Sequence, residues 1–205
     1  TPGGWTANDL VEDVAAIIGA LGEKRAMIAG VSQGGAVGMR VALKYPEKVR
    51  ALVNMCGGPG GPPPAAIRRL YDLAAFFAEE RDEAVRRAAV VEFAASYFHA
   101  PSFITREPER FAEEVDAILS HPRESIRLLP CVPESYVDIT PRLGEITCPT
   151  LIIWAAEEAR KTMGIELAAA IPGAELVTIP DAGHHVNVDQ PEATSEAIER
   201  FLLRH

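Results

Sequence analysis

Short apolar runs alternate with amphipathic stretches at both ends of the chain, while the middle carries only the helical period. Ala26–Val31, Val49–Met55 and Thr150–Ala155 are apolar and nearly uncharged, the pattern of strands buried on both faces. Glu175–Ile179 reads as a fourth strand. Helices are predicted between and around them. Thr6-Ala7-Asn8-Asp9 resembles a capping box with Asp at its third helical position. The helix it opens places Leu10, Val14, Ile17, Ile18 and Leu21 on one face and stops at Gly22. Further helices are expected over 35–45, ending at Pro46, and over 162–171, closed by Pro172-Gly173. A last helix starts at Pro191, with Ala197, Ile198, Phe201 and Leu202 inward. Strands alternating with helices predict a parallel-sheet α/β fold.

The glycine–proline loop 57–64 interrupts that alternation. From 65 to 130 no strand is predicted. Ile67, Leu70, Leu73, Ala74 and Phe77 share one helical face, and Val85, Ala88, Val91 and Ala95 another. Helices over 109–119 and 124–129 are separated at His121-Pro122, and the α/β alternation resumes at Ile139. The organisation expected is a core in two parts, 1–57 and 139–205, with a helical insertion over 58–138.

The densest chemical signal is Gly30-Val31-Ser32-Gln33-Gly34, lying between the first strand and the helix after it. Glycines on either side let the backbone turn sharply without Cβ clashes. Such a turn holds a serine in a strained conformation at the sheet's carboxyl edge, the nucleophile elbow of G-x-S-x-G. The helix start offers backbone N–H groups, Gln33 first, to a developing oxyanion. A serine N-cap is the plainer reading of the same turn, and the flanking strand and helix favour the elbow. Gly35, Ala36 and Gly38 let the helix approach the sheet closely.

A nucleophilic serine needs a base and an acid to orient the base. His184 follows the last strand in Asp181-Ala182-Gly183-His184 and is the candidate base. His185 is expected to shape the pocket or face solvent. The acid candidate is Glu158 in Trp154-Ala155-Ala156-Glu157-Glu158-Ala159, with Glu157 behind it. His184, His185 and Asp189 make a poor metal set, because adjacent histidines point apart, and neither metal nor cofactor is expected.

Composition narrows the classes. A formal charge of −9 and pI near 5.1 argue against nucleic acid as a partner. No apolar run reaches membrane-spanning length. Cys56, Cys131 and Cys148 match neither a disulfide framework nor zinc spacing, so reduced thiols in a cytoplasmic protein are expected. The chain opens at Thr1 in a Pro-Gly-Gly turn without an initiator Met and looks cut from something longer.

From Thr6 onward the chain resembles the α/β-hydrolase superfamily, in particular cap-bearing serine esterases, enol-lactone hydrolases and cofactor-free haloperoxidase-like members. The histidine loop through Gln190-Pro191-Glu192 carries that resemblance, with Asp181 where the family has glycine. At the acid turn Ala155 replaces a glycine and Glu158 an aspartate. The resemblance implies a serine hydrolase of a small carboxylic ester, lactone or thioester, with the helical insertion as lid and Phe76, Phe77, Tyr97 and Phe98 as pocket walls. It also implies strands before the first helix, with a second oxyanion donor, that have no counterpart in this sequence. Without them Ala26–Val31 becomes an edge strand, so a preceding segment, a second chain or a homo-oligomer is expected to pair there. The other function class is a catalytically impaired fragment or binding module that keeps the fold.

Overall fold

A computed structural model describes residues 5–62, 64–79, 82–128 and 130–205. The Pro-Gly-Gly turn at the start and Leu129, the predicted end of a helix, lie outside the described residues. The strands are β1 (Ala26–Val31), β2 (Val49–Met55), β3 (Thr150–Ala155) and β4 (Glu175–Ile179). They form one four-stranded sheet in the order β1-β2-β3-β4. Every pairing is parallel, with Ile28 opposite Leu52, Val53 opposite Leu151 and Ile153 opposite Val177. All four strands therefore end on the same edge of the sheet.

The central strands follow the physics of parallel sheets: β3 is buried throughout and β2 at every position but Arg50. β1 departs from the expectation of burial on both faces. Among the described residues it pairs on one side only, and Met27 and Ala29 are exposed. Helix α1 (Ala7–Ala20) starts at a complete capping box, Thr6 and Asp9 each accepting from the other's backbone N–H. Its buried face is Ala7, Val11, Ala15 and Ile18, whereas Ile17 and Leu21 are exposed. This rotation from the predicted face arises because α1 packs on helix α2 (Gln33–Lys44) rather than squarely on the sheet. Small residues bring α2 against β1 and β2, and a Cβ on Gly38 would stand 2.9 Å from Leu52 Cδ1.

Between β2 and β3 the chain is helical: α3 (Pro64–Ala78), α4 (Glu83–Tyr97), α5 (Pro101–Arg106), α6 (Pro108–Ser120), α7 (Arg123–Leu128) and α8 (Cys131–Glu134). These helices have a core of their own around Phe77, Val90, Ala94, Phe103, Phe111 and Val115. The inward face of α4 is Arg86, Val90 and Ala94, not the predicted stripe, and Val85 and Val91 are exposed. A buried arginine is tolerated there because its guanidinium donates to Phe77 O and Glu83 Oε2. Arg40 of α2 ties both ends of this helical run to the sheet layer. Its guanidinium donates to Pro59 O and Val137 O, each at 2.8 Å, and lies over the Tyr136 ring.

After β3 come α9 (Met163–Ala170), the short α10 (Val186–Asp189) and α11 (Pro191–Leu202). Ala197 and Phe201 of α11 are buried as predicted. Leu202 is exposed, and Thr194 is buried in the face it was expected to join, its hydroxyl donating to Val186 O. No helix among the described residues is long and apolar enough to cross a membrane.

Two glycines test how the backbone sets this architecture. A Cβ on Gly30 would fall 2.3 Å from the Gly34 carbonyl carbon, whereas one on Gly19 would meet nothing within 4 Å. Gly30→Ala is expected to lower stability by at least about 2 kcal/mol. Gly19→Ala, inside a helix, is expected to raise it by about 0.5–1 kcal/mol. Urea unfolding midpoints check both.

Candidate functional site

The carboxyl edge of the sheet concentrates backbone strain. The non-glycine residues with positive φ among those described are Ser32 (53°), Cys56 (54°) and Asp181 (50°), following β1, β2 and β4. At Ser32 the chain turns from strand to helix with ψ of −113°. Its N–H donates to Met55 O at 2.7 Å, and its carbonyl accepts from Ala36 N–H at 3.0 Å. Gln33 opens α2, so no carbonyl one turn back is available to its N–H. The buried Asn54 amide exchanges hydrogen bonds with Gly57 N–H and C=O at 2.9 Å. A Cβ on Gly35 or Gly57 would strike that amide at 2.0 or 2.4 Å, so the elbow and the turn after β2 close on a common wedge. Sequence reading passed over Asn54; a lone polar residue in an apolar strand was the available signal.

Across this edge His184 reaches Ser32, its Nε2 lying 2.7 Å from Ser32 Oγ. His184 Nδ1 lies 2.5 Å from Glu158 Oε2, and both side chains are buried. Glu157 is exposed, but its N–H donates to Ala182 O and so ties the acid turn to the histidine loop. Trp154 Nε1 donates to Arg160 O, holding the turn that carries Glu158 over the end of β3. Burial pushes the Glu158 carboxyl up, but the His184 hydrogen bond and the charges of His184 and Arg160 outweigh it, leaving the group below the usual carboxylate range. Hydroxyl, imidazole and carboxylate thus stand in hydrogen-bonded series. Such a series can move the hydroxyl proton to the imidazole as the oxygen attacks a carbonyl.

The histidine loop is held from behind by residues that sequence reading did not connect. Asp189 is buried, and its Oδ2 accepts from Ala100 N–H and Gly183 N–H, each at 2.7 Å. Its Oδ1 lies 2.6 Å from His99 Nδ1, and His99 Nε2 lies 2.6 Å from Glu114 Oε2. Burial pushes His99 down, but the Asp189 and Glu114 hydrogen bonds and charges raise it to about 9. Burial likewise pushes Glu114 up, and His185 and His99 bring it down to about 2. His185, adjacent to His184, faces this cluster rather than Ser32, its Nδ1 3.3 Å from Glu114 Oε2. The positive φ at Asp181 explains why the resembling loops carry glycine there; Asp tolerates that conformation better than most side chains.

Of the expected pocket walls, the Tyr97 and Phe98 rings lie 5.0 and 6.3 Å from the His184 ring. Phe77 instead belongs to the helical core, with Phe76 packed against it. Cys56 is buried beside Glu158 and His184. Burial pushes its thiol up to about 12, which disfavours the thiolate.

The family model described as "Alpha/beta hydrolase family" matches residues 1–197. A 2-hydroxy-6-oxononadienedioate/2-hydroxy-6-oxononatrienedioate hydrolase of Klebsiella pneumoniae is 29% identical over 198 residues, covering 92% of this chain and 66% of its own. A 2-hydroxy-6-oxo-6-phenylhexa-2,4-dienoate hydrolase of Burkholderia cepacia is 30% identical over 201 residues, covering 92% and 66%. The chain thus spans just under two thirds of the length of these curated relatives. Among solved structures, a thermophilic esterase from Thermogutta terrifontis superposes with a TM-score of 0.88 at 25% identity, covering 98% of this chain and 74% of that one.

The Asp189 contacts predict a large stability effect away from Ser32. Asp189→Ala leaves His99 and two buried N–H groups without their partner and is expected to cost about 3 kcal/mol or more. Asp189→Asn, which keeps an acceptor for both N–H groups, is expected to cost clearly less. Urea denaturation of the two variants measures the difference.

Proposed function

The chain belongs to the alpha/beta hydrolase family, and on that footing we propose that it is a serine hydrolase of small carboxylic esters, lactones or thioesters. The observation that carries this reading is the 2.7 Å approach of His184 Nε2 to Ser32 Oγ on the strained turn after β1. In this reading Ser32 Oγ attacks the substrate carbonyl while its proton passes to His184 Nε2. The tetrahedral oxyanion accepts the Gln33 N–H, and His184 returns the proton to the departing alcohol or thiol. Water, deprotonated by the same imidazole, then releases the acid from the acyl-enzyme. Glu158 holds the imidazole ring and balances the imidazolium charge, for which its lowered proton affinity suits it.

The curated relatives are hydrolases of oxo-dienoates and the solved neighbour is an esterase. Attack on a carbonyl carbon serves both. The aromatic rings of Tyr97 and Phe98 beside His184 suit an apolar acyl or alcohol group of such an ester.

A fluorophosphonate probe followed by peptide mass spectrometry is expected to label Ser32 and no other serine. Absence of labelling, with no turnover of p-nitrophenyl esters, favours instead a binding module that has kept the fold. On the same esters Glu158→Gln is expected to lower kcat by about 10³–10⁴ with KM changed little, because orientation and imidazolium stabilisation are lost while binding remains. Wild-type turnover in that variant removes Glu158 from the acid role.

A further inference from the structure

His184 and His185 are neighbours in sequence and serve different surroundings. The His185 ring stacks on Phe98 at 4.0 Å and 12°, and the His185 backbone N–H donates to Phe98 O at 2.8 Å. The Nδ1 of His185 faces Glu114 Oε2, as does Nε2 of His99, whose ring stacks on Phe103. The ligand atoms of His99, Glu114 and His185 all lie within 4.8 Å of one another. We propose that His99 Nε2, Glu114 Oε2 and His185 Nδ1 form a site for one divalent transition-metal ion of the Zn²⁺ class.

The donor chemistry carries the assignment. Two imidazoles and one carboxylate suit Zn²⁺ and its neighbours in the first transition row, not Mg²⁺ or Ca²⁺, which prefer oxygen. Three protein ligands leave a coordination position open to water. His99 also carries the outer partner that metal-bound histidines usually have. Asp189 takes its Nδ1–H, which points Nε2 at the site, and Asp189 is itself anchored by two backbone N–H groups. With Nδ1 donating to Asp189, His99 Nε2 lies 2.6 Å from the Glu114 oxygen, a separation that holds a proton between them at rest. A metal ion would displace that proton. A proton can serve this pair alone, whereas a metal ion also engages His185, 3.3 Å from the same oxygen.

Tetrahedral Zn²⁺ places its ligand atoms about 3.3 Å apart, so binding asks the His99–Glu114 pair to open by about 0.7 Å and any longer edge of the set, all within 4.8 Å, to close. Glu114 and His185 are each about a quarter exposed (24% and 26%), which gives the ion a path in and Glu114 room to shift. The bound ion would join the α4–α5 junction, α6 and the histidine loop, next to His184.

The experiment uses the full chain, freed of metal by dialysis against chelator and titrated with Co²⁺ as the spectroscopic counterpart of Zn²⁺. Saturation at one equivalent is expected, with visible d–d bands, no sulfur-to-cobalt charge transfer, and displacement by Zn²⁺. Affinity is expected to fall by about a hundredfold in His185→Ala and in Glu114→Gln, the second of which preserves side-chain shape. Cys56→Ser and Ser32→Ala should leave it unchanged. Zn²⁺ should raise the melting temperature of the wild type and leave that of His185→Ala where it is. The proposal is overturned by lack of saturable binding up to about 1 mM, or by affinity that survives both His185→Ala and Glu114→Gln. A thiolate band abolished by Cys56→Ser would overturn it too, moving the ion to the Cys56, Glu158 and His184 atoms.

Discussion

The buried carboxylate of Asp189 is the fastening on which the site's geometry depends. One of its oxygens collects backbone N–H groups from both sides of a seam, Gly183 in the histidine loop and Ala100 at the start of α5. The seam is tight: a Cβ on Gly183 would lie 2.6 Å from the His99 carbonyl carbon. A charged acceptor shared by two buried donors is among the stronger arrangements available to a protein interior. It fixes the backbone one residue before His184, and the His185 N–H bond to Phe98 O fixes the backbone one residue after. The imidazole meets Ser32 because its loop has no freedom on either side.

On the other side of Ser32 and His184 the constraint comes from the sheet. Parallel strands joined by helical crossovers all end on one edge, so turns after β1, β2, β3 and β4 crowd together there. The strained residues follow β1, β2 and β4, where a sharp change of direction has to fit beside a neighbour. Asn54 shows how the crowding is made tolerable. Its amide satisfies both polar groups of Gly57 and fills the space that the missing Cβ atoms of Gly35 and Gly57 leave. Strain at Ser32 persists because the surroundings are packed around it.

What was legible in the sequence was local. The strands of this alpha/beta hydrolase fold stood out as short apolar runs, and Ser32 and His184 as short motifs tied to strand ends. Which face of a helix turns inward was less legible. On α1 and α4 more than one apolar stripe is present, and the choice between them depends on neighbours distant in sequence. Arg86 shows the difficulty plainly, since a charged residue occupies the inward face of α4 because Phe77 O stands ready for its guanidinium. The Asp189, His99 and Glu114 cluster was illegible for a related reason. Its members come from the histidine loop, the α4–α5 junction and α6, and no spacing along the chain brings them together.

Replacement of the expected aspartate by Glu158 fits the same division of labour. A longer side chain must start further from the imidazole, and here its turn is drawn onto the end of β3. Glu158 N–H bonds back to Ala155 O, and Trp154 Nε1 holds Arg160 O from beneath. Gly164 is needed for that packing, because a Cβ there would stand 2.6 Å from the Trp154 ring. Acid turn and histidine loop are also joined directly, through Glu157 N–H and Ala182 O. Serine, histidine and glutamate are therefore carried by turns bound to the sheet and to one another. Tyr97 and Phe98, the aromatic neighbours of His184, come instead from the end of α4, in the helical layer with its own core. Changes among those helices can reshape what lies over Ser32 without moving Ser32, His184 and Glu158 relative to one another, so long as the seam at Asp189 stays closed.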